Sequence, residues 1–289
     1  MQNLLLVLER QLREMRQEAR DSAGVLRLRC VLLDQSISRS SRARHLVPRR
    51  IRAWLLLFRF RQEFSEFRAL SEKVGPRFSL RWEDRYSCLT DRATSTPFDR
   101  HYIYHMAWAA RILARTRPAY HVDVSSSLYF CALVSAFVPI KFYDFRPADL
   151  RLTNLSSGRA DLLVLPFTDA SVHSLSCMHV VEHVGLGRYG EPLDPNGDLK
   201  AIAQLRRVLA PGGSLLFVVP VGKPKIKFNA HRIYSYAQII KAFPDLQLRE
   251  FALIPDNPHE GLIEDGAAQK ADEQKYGCGC FWFERSLTA

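Results

Sequence analysis

Three acids stand at or near the ends of short β-like runs in the middle of the chain: Asp123 in Tyr120–Val124, Asp144 closing Ile140–Asp144, and Asp161 heading Asp-Leu-Leu-Val-Leu-Pro-Phe. Asp123 and Asp144 lie twenty-one residues apart, as the ends of successive strands do in a nucleotide-type α/β half. An acid ending the second strand is placed to accept both ribose hydroxyls of an adenosine moiety, and the Asp161-Leu162 turn offers an acid and backbone to an adenine edge. Downstream, His179-Val-Val-Glu182-His183 ends a further run, and Phe228-Asn-Ala-His231-Arg232 follows the next. An imidazole near such a rim titrates where a proton must be removed at neutral pH, which makes His183, and after it His231, candidate general bases.

The elements that must position these groups follow from periodicity. Helical patterns cover about Arg50 to Val74, with Leu57, Phe60, Phe64, Phe67 and Leu70 expected on a core-facing side, and Asp99 to Thr116, stopped by Pro118. Strands are expected at Tyr120–Val124, Ile140–Asp144, Leu152–Ser157, Val172–Met178 and Ser214–Val219. Helices alternate with them at Leu128–Val138 and between Gly197 and the Ala210-Pro-Gly-Gly213 break. A helix at Ser235–Phe243 and strands at Gln247–Ile254 and Gly279–Glu284 complete one doubly wound α/β sheet, mostly parallel and seven-stranded. Near the N-terminus, Leu5, Leu8, Leu12, Met15, Ala19, Ser22 and Leu26 make a heptad seam, and a Ser/Arg linker follows at 36–44. The division is an Arg-rich helical extension over 1–97 and an α/β domain over 98–289.

At 289 residues and 47% hydrophobic, the chain is globular in composition. Its formal charge of +11 is concentrated: residues 1–60 hold thirteen arginines against five acids, and the first lysine is Lys73. That segment suits phosphate, acidic partners or an anionic membrane surface, so peripheral membrane contact through residues 1–61 and a homodimer through the heptads are partner expectations. Cysteines at 30, 88, 131, 177, 278 and 280 form no Cys-x-x-Cys pair and read as buried thiols in a reducing compartment. No apolar run approaches the ~20 residues of a membrane span. The first such run is broken by Glu9-Arg10 rather than followed by a cleavage-like site, so the expected location is cytoplasmic.

The succession of Asp123, Asp144, Asp161, the Leu165-Pro-Phe-x-Asp169 turn, Val-Val-Glu-His183 and Leu209-Ala-Pro-Gly-Gly213 resembles the class I S-adenosylmethionine-dependent methyltransferases, particularly the ubiquinone-biosynthesis type. A narrower set of segments resembles a domain-of-unknown-function family of methyltransferase-like proteins, some encoded near surface-polysaccharide genes. These are Phe98-Asp-Arg-His-Tyr102, Ala107-Trp-Ala-Ala-Arg111, His121-Val-Asp-Val-Ser-Ser126, Gly185-Leu-Gly-Arg-Tyr-Gly190 with Pro192-Leu-Asp-Pro195, Phe228 to Arg232, and Tyr276-Gly-Cys-Gly279. The resemblance implies a Rossmann-like methyltransferase sheet, S-adenosylmethionine as cofactor, and methyl transfer to a small-molecule or sugar hydroxyl. Asp123, Ser125, Ser126 and Ser127 would take the methionine end, Asp144 and Phe145 the ribose side, and Asp161 and Leu162 the adenine, with His179 beside them. Arg188, Tyr189, Asp194, Asn229 and Arg232 would contact the acceptor. The sequence departs from the family after the first strand, where Ser-Ser-Ser127 replaces the usual Gly-x-Gly; the hydroxyls can bond the methionine carboxylate, while their Cβ atoms narrow the pocket.

Two other patterns compete. His179-x-x-Glu-His183 matches an inverted zinc-protease motif, which needs both histidines on one helical face; a β-run ending at His179 argues against it, Cys278-Gly-Cys280 as a metal half-site gives way to thiols packed on one face of a β-run, and no metal is expected. A non-catalytic scaffold acting through the basic N-terminus is the alternative to an enzyme. Nucleic acid is a disfavoured partner, because the arginine excess lies in the extension and no base-flipping motif follows the fourth strand.

Overall fold

The computed structural model describes residues 49–287, so the heptad seam, the Ser/Arg linker and Cys30 lie outside the described residues. The chain divides between Thr96 and Pro97 into two compact units.

In the first unit, helix α1 (Arg49–Val74) ends at Gly75, whose φ of 86° supplies the left-handed residue that commonly closes a helix. Its expected core face is covered only in part. Phe60 and Phe64 pack on Trp82 of a single 3-10 turn, Trp82–Asp84, with ring centroids 6.0 and 5.0 Å away, and Arg85 covers that indole at 4.5 Å. Leu55 is buried instead, while Leu57, Phe67 and Leu70 are exposed, because one short turn cannot span the whole helix. Among the described residues no helix is long and apolar enough to cross a membrane.

The second unit opens with helix α2 (Arg100–Thr116), capped by the Asp99 carboxylate accepting from the Tyr102 amide. Trp108, Ala109, Ile112 and Leu113 form its buried stripe, and helical spacing continues that stripe back to His105 and His101. The alternating part follows as β1 (His121–Val124), α3 (Leu128–Val134), β2 (Ile140–Asp144), β3 (Leu155–Arg159), β4 (Val172–Met178), α4 (Gly197–Val208) and β5 (Leu209–Val221). A small hairpin of β6 (Lys225–Lys227) and β7 (His231–Ile233) precedes α5 (Tyr236–Ala242), β8 (Leu246–Ile254), α6 (Ala268–Glu273) and β9 (Gly277–Arg285).

Among the described residues, seven strands form one sheet in the order β3-β2-β1-β4-β5-β9-β8, with β1 to β5 parallel and β9 antiparallel to both β5 and β8. This is the expected doubly wound, Rossmann-like sheet. Some boundaries differ from the sequence reading. α3 stops at Val134, where the next residue, Ser135, turns its hydroxyl onto the Ala132 carbonyl, and β3 begins at Leu155. Ala210-Pro-Gly-Gly213 does not precede β5 but lies within it, as a bulge across which the pairing with β4 jumps from Val172↔Leu209 to Ser174↔Ser214. A Cβ on Gly213 would meet the Ala210 carbonyl oxygen at 2.7 Å, so the bulge needs glycine there.

The core has two layers, one on each face of the sheet. Val122, Val124, Leu175, Phe217 and Val219 meet Ala201, Ile202, Leu205 and Val208 of α4. Phe142, Met178, Leu216, Val218 and Cys280 meet α2 and α3.

Candidate functional site

The chain leaves β1 toward β2 and β3 on one side and returns to β4 and β5 on the other, so strand order reverses between β1 and β4. In an open α/β sheet that reversal opens a crevice beyond the carboxyl ends of those strands. β9 runs the other way, and Gly277 pairs with Val221, which brings the start of β9 to the same edge.

On the β1–β2 side, Asp123 is corrected from a crevice-facing role. Val122 and Val124 point to the α4 layer, so alternation turns Asp123 under α3, where it is fully buried. Its carboxylate accepts from the Ser176 hydroxyl and the Ser126 amide, and burial raises its pKa to about 6. It therefore shapes the turn rather than meeting a ligand. Ser125 takes a left-handed φ of 59°, the conformation a glycine would adopt, with its amide on the Tyr143 carbonyl at 2.8 Å. The Ser125 hydroxyl turns toward that same carbonyl at 3.4 Å, and the Ser126 hydroxyl accepts from the Met178 amide at 3.0 Å. Two of the three hydroxyls expected on a ligand are thus engaged within the protein; Ser127, half-buried ahead of α3, makes no capping bond with its own.

Asp144 ends β2 half-buried, one carboxylate oxygen accepting from the Arg146 amide at 2.7 Å. Phe145 is exposed beside it, with the Arg159 guanidinium over its ring. Asp161 is exposed and accepts from the Leu163 amide, while the Leu162 side chain is buried in the α4 layer, which leaves only its backbone for the edge.

On the β4–β5 side the structure gathers a cluster larger than the sequence suggested. His179 follows β4 with φ 58°, and Val181–His183 form a single 3-10 turn, so His179 and His183 do not share a helical face and the protease pattern fails. Because a carboxylate only accepts, His179 Nδ1–H donates to Glu182 Oε1 at 2.7 Å, which leaves Nε2 directed at Cys278 Sγ, 3.4 Å away. The His179 ring stacks on His101 at 5.4 Å and on Tyr102 at 5.6 Å, and His101 in turn stacks on Tyr276 at 4.9 Å. His105 donates to the His101 carbonyl and packs edge-on against His179. Burial lowers His101 to a pKa of about 4, lowers His105 well below the ordinary range, and lifts Tyr276 to about 12.

The two candidate bases do come together. The rings of His183 and His231 are 6.5 Å apart, and Tyr276 lies 4.8 Å from His231. His183 Nδ1–H donates to the Ala230 carbonyl at 2.6 Å, which places its lone pair on Nε2. Burial lowers the pKa of both rings, so both are neutral, and basic, at neutral pH.

The acceptor candidates separate. Tyr189 is exposed, edge-on to His183 at 6.1 Å and flanked by Arg188 and by Arg146, so the loop after β4 reaches the loop after β2. Arg188 is exposed, with one nitrogen 3.4 Å from His183 Nε2. Asn229 is exposed. Arg232 and Asp194 are corrected: the Arg232 guanidinium is buried and donates to the carbonyls of Val184, Asp194 and Pro195, and the Asp194 carboxylate holds Lys200 and the Asn196 amide. Both fasten the 185–197 loop. Cys131, Cys177, Cys278 and Cys280 are buried thiols as expected, whereas Cys88 is exposed.

The sequence reading gave no site role to His101, His105, Glu182 or Tyr276, and set Cys278 aside as a packed thiol. His101, Tyr276 and Cys278 stood in Phe98 to Tyr102 and Tyr276 to Gly279, and Glu182 in the run from His179 to His183, whereas His105 read only as part of a helix.

A family model described as "Caenorhabditis protein of unknown function, DUF268" matches residues 169–247. No curated protein matches the chain. Solved structures similar to it include a Burkholderia thailandensis 1,6-didemethyltoxoflavin-N1-methyltransferase with bound S-adenosylhomocysteine (10% identity, 63% of this chain and 78% of that one, TM-score 0.43). Also similar are the N-methyltransferase NodS of Bradyrhizobium japonicum with S-adenosylhomocysteine (16%, 63% and 87%, 0.41) and the YcgJ protein of Bacillus subtilis (13%, 62% and 99%, 0.41).

Proposed function

We propose that the chain is an S-adenosylmethionine-dependent methyltransferase acting on a hydroxyl of a small molecule or sugar. The observation that carries the reading is one sheet edge holding three things: a glycine-like turn after β1, a carboxylate at the end of β2, and a pair of neutral imidazoles, one after β4 and one opening β7. The residues fit the cofactor. Ser125 reproduces the backbone course of a glycine, Ser126 folds its hydroxyl inward, and one Asp144 oxygen remains for a ribose hydroxyl. When bound, the cofactor supplies an electrophilic methyl group on sulfur. The work left to the chain is to align an acceptor oxygen and remove its proton. His183 Nε2 takes that proton, its ring held by the Ala230 carbonyl, and Tyr189 with Arg188 borders the acceptor. Fastening of the 185–197 loop by Arg232 holds those two residues in place.

Calorimetric titration of the full chain with S-adenosylmethionine and S-adenosylhomocysteine tests the reading. Micromolar binding, about −8 kcal/mol, lost in Asp144→Ala with an unchanged far-ultraviolet spectrum, is expected. Absence of binding to either compound, or binding indifferent to Asp144, would refute it.

A further inference from the structure

Glu182 is 1% exposed, yet among the described residues its ion-pair partners are two histidines and no lysine or arginine. Of the four buried side-chain polar atoms left without a hydrogen-bond partner among those residues, three belong to this cluster: Glu182 Oε2, His105 Nε2 and His231 Nε2. A buried carboxylate whose ion-pair partners are only histidines is a charge that a cation bound beside it would offset.

The donors for a cation stand beside that carboxylate. One ligand atom from each of His101, His179 and Cys278 lies within 4.8 Å of the other two. Metal–nitrogen and metal–sulfur bonds of about 2.05 and 2.3 Å in a tetrahedral site put nitrogen and sulfur about 3.5 Å apart; His179 Nε2 and Cys278 Sγ are 3.4 Å apart. His179 already has the ligand's tautomer, because Glu182 holds the proton on Nδ1 and leaves the Nε2 lone pair free. A carboxylate behind a ligating imidazole is the usual outer-shell arrangement.

We propose that His101, His179 and Cys278 bind one divalent metal ion of the zinc class, with Glu182 orienting His179 and a fourth position left to water or an oxygen ligand. Two nitrogens and a thiolate select a borderline-soft ion over magnesium or calcium. Binding releases the Cys278 thiol proton to solvent, and the thiolate sulfur becomes the third ligand. His183 and His231 lie outside this ligand set and keep the role proposed above, so the two proposals stand or fall separately.

The test uses the full chain, stripped with a chelator and titrated with Co(II) and Zn(II), with no S-adenosylmethionine present. One equivalent of Co(II) is expected, with a thiolate-to-metal charge-transfer band. Cys278→Ser should abolish the band. His101→Ala, at a partly exposed helix start, should weaken binding at least 100-fold while leaving the far-ultraviolet spectrum unchanged. Glu182→Gln should weaken binding about 10- to 100-fold, and Cys280→Ser and His183→Ala should retain it. No stoichiometric binding to the wild type, binding unchanged by Cys278→Ser and His101→Ala, or binding lost in His183→Ala would overturn the proposal.

Discussion

His121 offers a test of the scaffold beneath the crevice. It is wholly buried, with Nδ1 2.7 Å from the Ser174 hydroxyl and Nε2 2.8 Å from the Ser176 hydroxyl. Since Ser176 donates to Asp123, its oxygen accepts from His121 Nε2–H, and Ser174 donates to Nδ1; the chain of bonds fixes a neutral ring. Burial lowers this imidazole from 6.5 to about 3. A folded pKa below the unfolded one means that the ring's contribution is fully present above pH 6.5 and is lost as pH falls toward 3. For this group the loss is about 2 kcal/mol between pH 7 and pH 5 and about 3 kcal/mol by pH 4. Asp123 runs the other way, because its raised pKa favours the folded state as pH falls through about 6. His121→Gln retains Asp123, so the opposing contribution cancels in the comparison. The substitution should cost about 1–2 kcal/mol at pH 7 through imperfect pairing, and urea unfolding at pH 7, 6 and 5 should show that deficit vanishing or reversing, a swing of about 2 kcal/mol in favour of the variant. A deficit that stays constant across this range would refute the neutral, doubly bonded ring, and with it the arrangement that holds Asp123 against the Ser126 turn.

Two further substitutions probe the crevice walls. Ser125→Gly removes a left-handed penalty of about 1–2 kcal/mol against a glycine entropy cost of about 0.5–1 kcal/mol, and gives up one long hydrogen bond. The melting temperature should rise by about 1–3 °C, and a fall would show that Ser125 is not strained. Arg232→Met leaves the Val184, Asp194 and Pro195 carbonyls without their shared donor and should cost about 3 kcal/mol or more. Limited proteolysis should then cut within 185–197, while exposed Arg188→Met should leave cleavage unchanged; equal cleavage of the two variants would refute the loop-fastening role.

The sheet was legible because two successive strand ends carry acids at the spacing of an α/β half, and because β4 and β5 read as apolar runs. The extent of β5 was not. Ala210-Pro-Gly-Gly213 reads locally as a turn, and only the pairing with β4 on one side and β9 on the other makes it a bulge. Asp123 misled for a related reason: an acid near a strand end suggests a rim, but strand alternation, fixed by Val122 and Val124, decides which face it joins. Arg232 reads as a ligand contact because buried arginines are rare, and its carbonyl partners, 37 to 48 residues away in the chain, are invisible until the loop is folded. His101 and His105 extended an apolar helical stripe, and nothing local says that the stripe runs past the edge of the sheet.

Glu182 joins the two halves of the β4–β5 side. Its Oε1 is 2.7 Å from His179 Nδ1 and 3.8 Å from His183 Nε2, so one carboxylate faces both a proposed metal ligand and the proposed base. Its negative charge favours protonation of His183, whereas burial of the ring opposes it, and burial is the larger effect. A cation held by His179 would weaken the carboxylate's pull on the His183 proton. Proton removal and proton release at His183 would then depend on how much of the charge on Glu182 is already committed to the opposite ring.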